Sequence, residues 1–272
     1  QKWLLDDLSV YRNTITSTEI AVPKKGGDSS VEGGELYPGQ VFFSDFEREN
    51  DGTTIYGKGS FIDFGGNFGR VFQNVGGAQR SNYLILPEDV LSHSAETKEL
   101  SIGVWVNAAN AGASADYMWA PLFSAYASGP ATDNGTPMFI CQYRGILQVN
   151  CNGWCDFTDA QNTAGVNVAY HDATDWLADK DWHLYTAVFT ETNAKVYFDG
   201  VLKNEWNVSG SGDGNVIAGL FSNGSDLKYI CLGGNQAWNW GDNDPGFAFD
   251  HISIYNVALT QEQIKVLVSR KK

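Results

Sequence analysis

Along the chain, apolar residues recur mostly at every second position, in short runs separated by Gly, Asn and Asp. Leu100-Ser101-Ile102-Gly103-Val104-Trp105-Val106 and Asp181 to Phe189 show this spacing, as do Lys195 to Leu202 and Phe247 to Tyr255. A period of two is that of a strand with one face buried. The same pattern predicts strands over Tyr37 to Phe46, Asn67 to Phe72, Tyr83 to Pro87, Leu122 to Tyr126 and Tyr229 to Asn235. It predicts a hairpin over 138–149 and a second hairpin turning at Asp199-Gly200. From Leu259 the period lengthens: Leu259, Ile264, Leu267 and Val268 suit one short helix, with Thr260 as N-cap and Gln263 as its capping-box partner. Regularly spaced strands with almost no helix predict an all-β, two-sheet antiparallel sandwich with a short C-terminal helix.

Punctuation divides the chain. Residues 26–35, overlapping the Gly- and Ser-rich run Lys24 to Gly34, read as a linker, and residues 36–272 as the domain proper. Residues 1–25 hold an internal echo: Asp6 to Ile20 aligns without gaps on Asp250 to Ile264, with Asp6, Ser9, Tyr11, Thr16 and Ile20 identical to their counterparts. The expectation is the closing strand of an upstream repeat, or an N-terminal extension, with tandem domains in a longer parent chain. The segment from Cys151 to Asp181 is polar and long, and reads as a loop.

The last strand and helix resemble the closing signature of the laminin-G-like, concanavalin A-like lectin/glucanase jelly-roll family, Phe-x-Gly-x-Ile-Asp-Asp-Val-x-Ile-Tyr-Asn-x-Ala-Leu-Ser-x-Glu-Glu-Ile. Asp250, Ile252, Ile254, Tyr255, Asn256, Ala258, Leu259 and Ile264 match it, whereas His251 replaces the second Asp and Gln263 a Glu. Phe46-Glu47, Phe68-Gly69-Arg70, Asn82-Tyr83 with Leu86-Pro87, Trp182-His183, Asp199-Gly200 and the 229–235 strand resemble further family segments, so the likeness covers about residues 36–268. It implies a jelly roll. It also implies one structural calcium at the rim, held by Glu47 and Asp250 and joined by Asn82 or the Gly76-Gly77 carbonyls, because hard oxygen ligands suit that ion.

Composition narrows the function. A formal net charge of −14 over 272 residues argues against nucleic acid and anionic membrane surfaces. No apolar run approaches the ~20 residues of a membrane span, and Gln1 reads as a mature or trimmed start. The expected setting is extracytoplasmic: secreted, periplasmic or at the cell surface. Four cysteines, Cys141, Cys151, Cys155 and Cys231, lack the tight pairs of a zinc site. Bridges Cys151–Cys155 and Cys141–Cys231 and free buried thiols both remain open.

Nine Trp and twelve Tyr invite a sugar-binding reading. A pyranose offers an apolar C–H face and a ring of hydroxyls, which flat aromatics and fixed amides or carboxylates complement. The loop Gly233 to Pro245 places Trp238 and Trp240 among Asn235, Asn239 and Asp242, and Trp119 and Trp154 lie in other polar stretches. The seven form the candidate ligand site for a polysaccharide or oligosaccharide. The glucanase string Glu-x-Asp-x-Glu of some relatives is missing, and no catalytic residue is assigned. The function expected is a non-catalytic carbohydrate-binding module using aromatic loops at the sandwich rim or concave face. Alternatives are a glycoside hydrolase or polysaccharide lyase on the same fold, and a protein-adhesion module.

Overall fold

A computed structural model describes residues 39–48, 51–110, 120–127, 138–143, 147–150, 154–157, 179–207, 220–221, 227–236 and 241–270. The echo at 1–25 and the linker at 26–35 lie outside them. The described strands form two antiparallel sheets. The first contains β1 (Gln40–Ser44), β3 (Ser60–Asp63), β4 (Arg70–Gln73), β6 (Glu99–Asn107), β11 (His183–Thr190), β12 (Asn193–Phe198), β13 (Val201–Asn207) and β15 (Ala248–Tyr255). The second runs β10 (Trp154–Phe157), β9 (Leu147–Asn150), β8 (Met138–Gln142), β7 (Pro121–Tyr126), β14 (Tyr229–Leu232), β5 (Tyr83–Ile85), β2 (Thr54–Tyr56). The core lies between the sheets. Ile102, Val104, Phe189, Phe249 and Ile254 point in from the first, and Leu84, Phe123, Phe139, Ile230 and Leu232 from the second, all buried in one cluster. This is the sandwich that the alternation predicts.

The first sheet is buried on both faces at its centre. Trp105, Leu184, Val188, Tyr197 and Tyr255 face away from the core and pack with Leu259 and Ile264. Ile264 belongs to the helix α2 (Gln261–Ser269); α1 is the single turn Ser94–Thr97. Thr260 caps α2 as predicted: its hydroxyl accepts from the Gln263 backbone amide at 3.3 Å, and the Gln263 side-chain Oε1 accepts from the Thr260 backbone amide at 2.8 Å. The Asp199-Gly200 turn also forms, with φ of 49° and 73°, the doubly left-handed pair a two-residue hairpin requires.

β15 is divided by a bulge. Its apolar phase runs Phe247, Phe249 and then Ile252, Ile254, so one extra residue sits between the halves. His251 absorbs it at φ 46°, and the edge partner changes there from β4 to β1. The slip in sequence parity is the bulge itself.

Two expectations are corrected. The stretch after Cys151 is not wholly loop: Trp154–Phe157 pairs with Leu147–Asn150, extending the predicted hairpin to three strands. Cys141 and Cys231 do not bridge. Both thiols are free and buried, on strands of the same sheet but on opposite faces, Cys141 in the core and Cys231 outside it. β2 and β3 are additional short strands that the alternation does not reveal.

Candidate functional site

The outer face of the second sheet carries the aromatic residues that matter. Alternation sends Leu84 and Ile230 into the core, and therefore Tyr83, Ile85, Tyr229 and Cys231 outward. Tyr56 of β2 pairs in register with Tyr83 of β5, and Tyr126 of β7 with Tyr229 of β14. Each pair stacks: 4.6 Å between centroids at 11° for Tyr56 and Tyr83, 5.4 Å at 6° for Tyr126 and Tyr229. In each pair one ring is buried and the other open. Tyr83 and Tyr126 are at most 3% exposed, Tyr56 is 49% exposed and Tyr229 36%. Burial, first of all, raises the acid strength threshold of both inner phenols, which stay protonated at any physiological pH.

Between these pairs lies a cleft of about 470 Å³, lined by Tyr56, Arg80, Tyr83, Ile85, Glu88, Lys228, Tyr229 and Gln236. It combines two open aromatic faces, an amide, a carboxylate and two cations.

One wall of the cleft is held by a buried carboxylate. Asp244 is fully buried and accepts three backbone amides in succession: Arg80 at 3.2 Å, Ser81 at 2.7 Å and Asn82 at 2.9 Å. Its own amide donates to the Gly77 carbonyl at 3.0 Å. Asn82 continues the frame, its side-chain amide donating to Gly76 and its side-chain oxygen accepting from the Lys58 amide. Asn74 ties the carbonyls of Asn82 and Gly233 together. The 74–82 loop, the 233–236 turn and the 241–246 loop are thus one unit, with Arg80 fixed at φ 65° on its edge. Desolvation pushes the Asp244 carboxyl up to about 6, against the lowering pull of its three amide donors.

The sequence-predicted ligand residues fall around this unit unevenly. Asn235 is buried at the turn after β14, beside Gln236 of the cleft, and Asp242 is half-buried in the returning loop. Trp119, Trp238, Asn239 and Trp240 lie outside the described residues. Trp154 lies on β10, and only its backbone is described. The predicted loop therefore starts at the cleft, and the described lining comes largely from residues outside it. Tyr56, Arg80, Glu88 and Lys228 sit in no motif. Tyr229 is within reach of the alternation rule, because its strand is predicted from the sequence, and Tyr56 is not.

The two carboxylates expected to hold calcium have protein partners here. Glu47 accepts from the Arg70 amide at 2.8 Å, and Asp250, fully buried, pairs with His251 Nδ1 at 2.7 Å. Among the described residues no group of three or more His, Cys, Asp or Glu could hold a metal ion.

A further polar cluster lies on the first sheet. His183 pairs through Nδ1 with Asp199 at 2.6 Å and through Nε2 with Asp179 at 2.9 Å. The hydrogen bond to Asp199 is the main cause of a raised imidazolium pKa. Asp199 also accepts from the Leu184 amide at 3.0 Å, so the cluster pins the β12–β13 turn to the start of β11.

The family model of the concanavalin A-like lectin/glucanases superfamily matches residues 77–265, and the chain belongs to that family. No curated protein matches the sequence significantly. Among solved structures, domain 4 of an extracellular arabinanase from Geobacillus stearothermophilus, in complex with arabinotriose, is similar at 17% identity and TM-score 0.50. The match covers 79% of this chain and 87% of that one. A botulinum neurotoxin type C structure, whose cell entry depends on interaction with two ganglioside molecules, is similar at 13% identity and TM-score 0.52. That match covers 86% of this chain and 52% of the toxin chain, so the chain spans about half its length. At these identities the likeness is one of fold.

Proposed function

We propose that this domain is a non-catalytic carbohydrate-binding module of a secreted or cell-surface protein, and that it holds its glycan in the tyrosine cleft. The observation that carries the reading is the pair of open rings, Tyr56 and Tyr229, each backed by a buried tyrosine. A backed ring is already ordered, so stacking a sugar on it costs little side-chain entropy. Gln236, Glu88 and Arg80 supply hydrogen-bonding groups for hydroxyls around those rings. Family membership and the sugar-bound arabinanase domain support the same reading.

Glycoside hydrolysis ordinarily needs two facing carboxyl groups. The described cleft lining offers Glu88 alone, and Asp244 is consumed by backbone amides. This favours binding over bond cleavage.

The test is a glycan array probed with the purified chain and with Tyr56→Ala and Tyr229→Ala, with reducing-sugar release assayed on every hit. Binding that both variants weaken, without release, is the expected result. Unchanged binding in both variants would move the site elsewhere, and released sugar would make the protein an enzyme. Thermal melting with calcium and with chelator tests the calcium expected at Glu47 and Asp250, since a bound structural ion would raise the melting temperature.

A further inference from the structure

The cleft has a charge that the rest of the chain does not. The protein carries 32 acidic and 18 basic residues, yet the described cleft lining holds two cations, Arg80 and Lys228, against the single carboxylate Glu88. Two cations of the first sheet are occupied: Lys195 pairs with Glu205 at 3.3 Å, and the Arg70 guanidinium donates to the Phe46 and Arg48 carbonyls. Among the described residues neither Arg80 nor Lys228 has an ion-pair partner.

Their placement is built. Arg80 is half-buried at a left-handed φ of 65°, a conformation that costs a non-glycine residue energy, and the Asp244 carboxylate holds its amide there. Lys228 immediately precedes β14 and the open ring of Tyr229, and its backbone amide donates to the Tyr126 carbonyl at 3.1 Å. Each cation thus lines the same cleft as the two open rings.

We propose that the cleft selects glycans carrying acidic sugars, with Arg80 and Lys228 binding the carboxylate or sulfate while Tyr56 and Tyr229 stack on the ring. This rests on the reading of the cleft as a glycan site. The guanidinium offers paired donors to a planar or tetrahedral oxyanion, and the ammonium adds a point charge. Glu88 accepts from hydroxyls and disfavours a second anionic group on the same residue. The net charge of −14 repels polyanions in general, so acidic glycans would bind only where this cation pair is presented.

The experiment uses two matched probe pairs, polygalacturonate against its carboxyl-reduced form and dextran sulfate against dextran. Affinities are measured by calorimetry for the wild-type chain, Arg80→Gln, Lys228→Gln and Tyr229→Ala, with thermal melting as the check on folding. The acidic member of at least one pair is expected to bind tenfold or more tighter than its neutral partner, and the pair that responds tells carboxylate from sulfate. Each Gln variant should lose about tenfold for the acidic probe, the scale of one charge-assisted hydrogen bond, and lose clearly less for its neutral partner. Tyr229→Ala should weaken both members. If neutral glycans bind through the tyrosines as tightly as acidic ones, or if both Gln variants bind acidic probes normally, the acidic preference is overturned and the module reading stands. If no glycan binds here or on the array, both fall.

Discussion

Tyr56 lies flat on Tyr83, with 4.6 Å between ring centroids and 11° between planes, one ring half in solvent and the other buried. The two have different jobs although they touch. Tyr56→Ala removes an open face and one stacking contact, so it should cost about 1 kcal/mol of stability and five- to tenfold in glycan affinity. Tyr83→Ala removes a buried ring and should cost about 3–5 kcal/mol. Urea unfolding and calorimetric titration of the two variants would separate the roles. A Tyr56→Ala protein as unstable as Tyr83→Ala would make Tyr56 a core residue and not a platform.

The polar clamp on His183 predicts a pH-dependent stability. Its folded imidazolium pKa is raised, chiefly by the hydrogen bond to Asp199 and then by that to Asp179. A raised pKa means that the folded state binds the proton more tightly than the unfolded chain does. The stabilisation is therefore fully present below the unfolded value of about 6.5 and disappears as pH rises through the folded value. The unfolding free energy of wild type minus that of His183→Gln should shrink as pH is raised from 6 to 9. Asp199→Asn, which keeps a residue tolerant of the left-handed turn, should show a smaller dependence. A wild-type-to-His183→Gln difference that stays flat over that range would dismiss the clamp.

Asp244 predicts the opposite pH region and a different cost. Burial raises its carboxyl to about 6, so between about pH 4 and 6 the folded protein holds a proton that the unfolded chain gives up. This group's contribution to stability therefore falls as pH rises through that window. The stability of wild type relative to Asp244→Asn should decline from pH 4 to pH 6 and level above it, as read from denaturant melts. Asp244→Ala is more severe at every pH. It leaves the amides of Arg80, Ser81 and Asn82 without their acceptor, at about 1–3 kcal/mol for each one that water cannot reach.

Much of the fold is legible in the sequence because burial writes a period into it. The parity slip between Phe249 and Ile252 even records the β15 bulge, and Thr260 with Gln263 records the start of α2. The cleft is less legible for physical reasons. β2 is three residues long, too short for alternation to register, so Tyr56 has no strand around it in the sequence. The face of Tyr229 follows from its alternation with Ile230, but its stacking on Tyr126 follows only from strand order. Asp244 sits in the loop predicted to bind sugar through its amides and carboxylates; which carboxylate is buried for structure depends on where the 74–82 loop comes to rest. Arg80 and Lys228 lie 148 positions apart by their numbers and converge only through the sheet.

Gly57 gives a way to disturb the cleft without touching its lining side chains. It turns the chain after Tyr56 at φ 82°, and a Cβ there would come within 2.1 Å of the Ser81 carbonyl oxygen and 2.5 Å of the Asn82 side-chain oxygen. The first contact is with backbone that Asp244 holds in place, so it cannot be relieved by a side-chain rotation. Gly57→Ala should therefore combine left-handed strain with displacement of the 80–82 segment, at about 2 kcal/mol or more. Because that segment carries Arg80, the variant should also weaken acidic-glycan binding more than neutral binding, although no charge has been removed. Gly65→Ala is the control: its φ is 80° but nothing lies within 4 Å of the added Cβ, so it should show the strain alone, about 1 kcal/mol, with binding intact. Equal losses of binding in the two variants would disconnect the 80–82 segment from recognition.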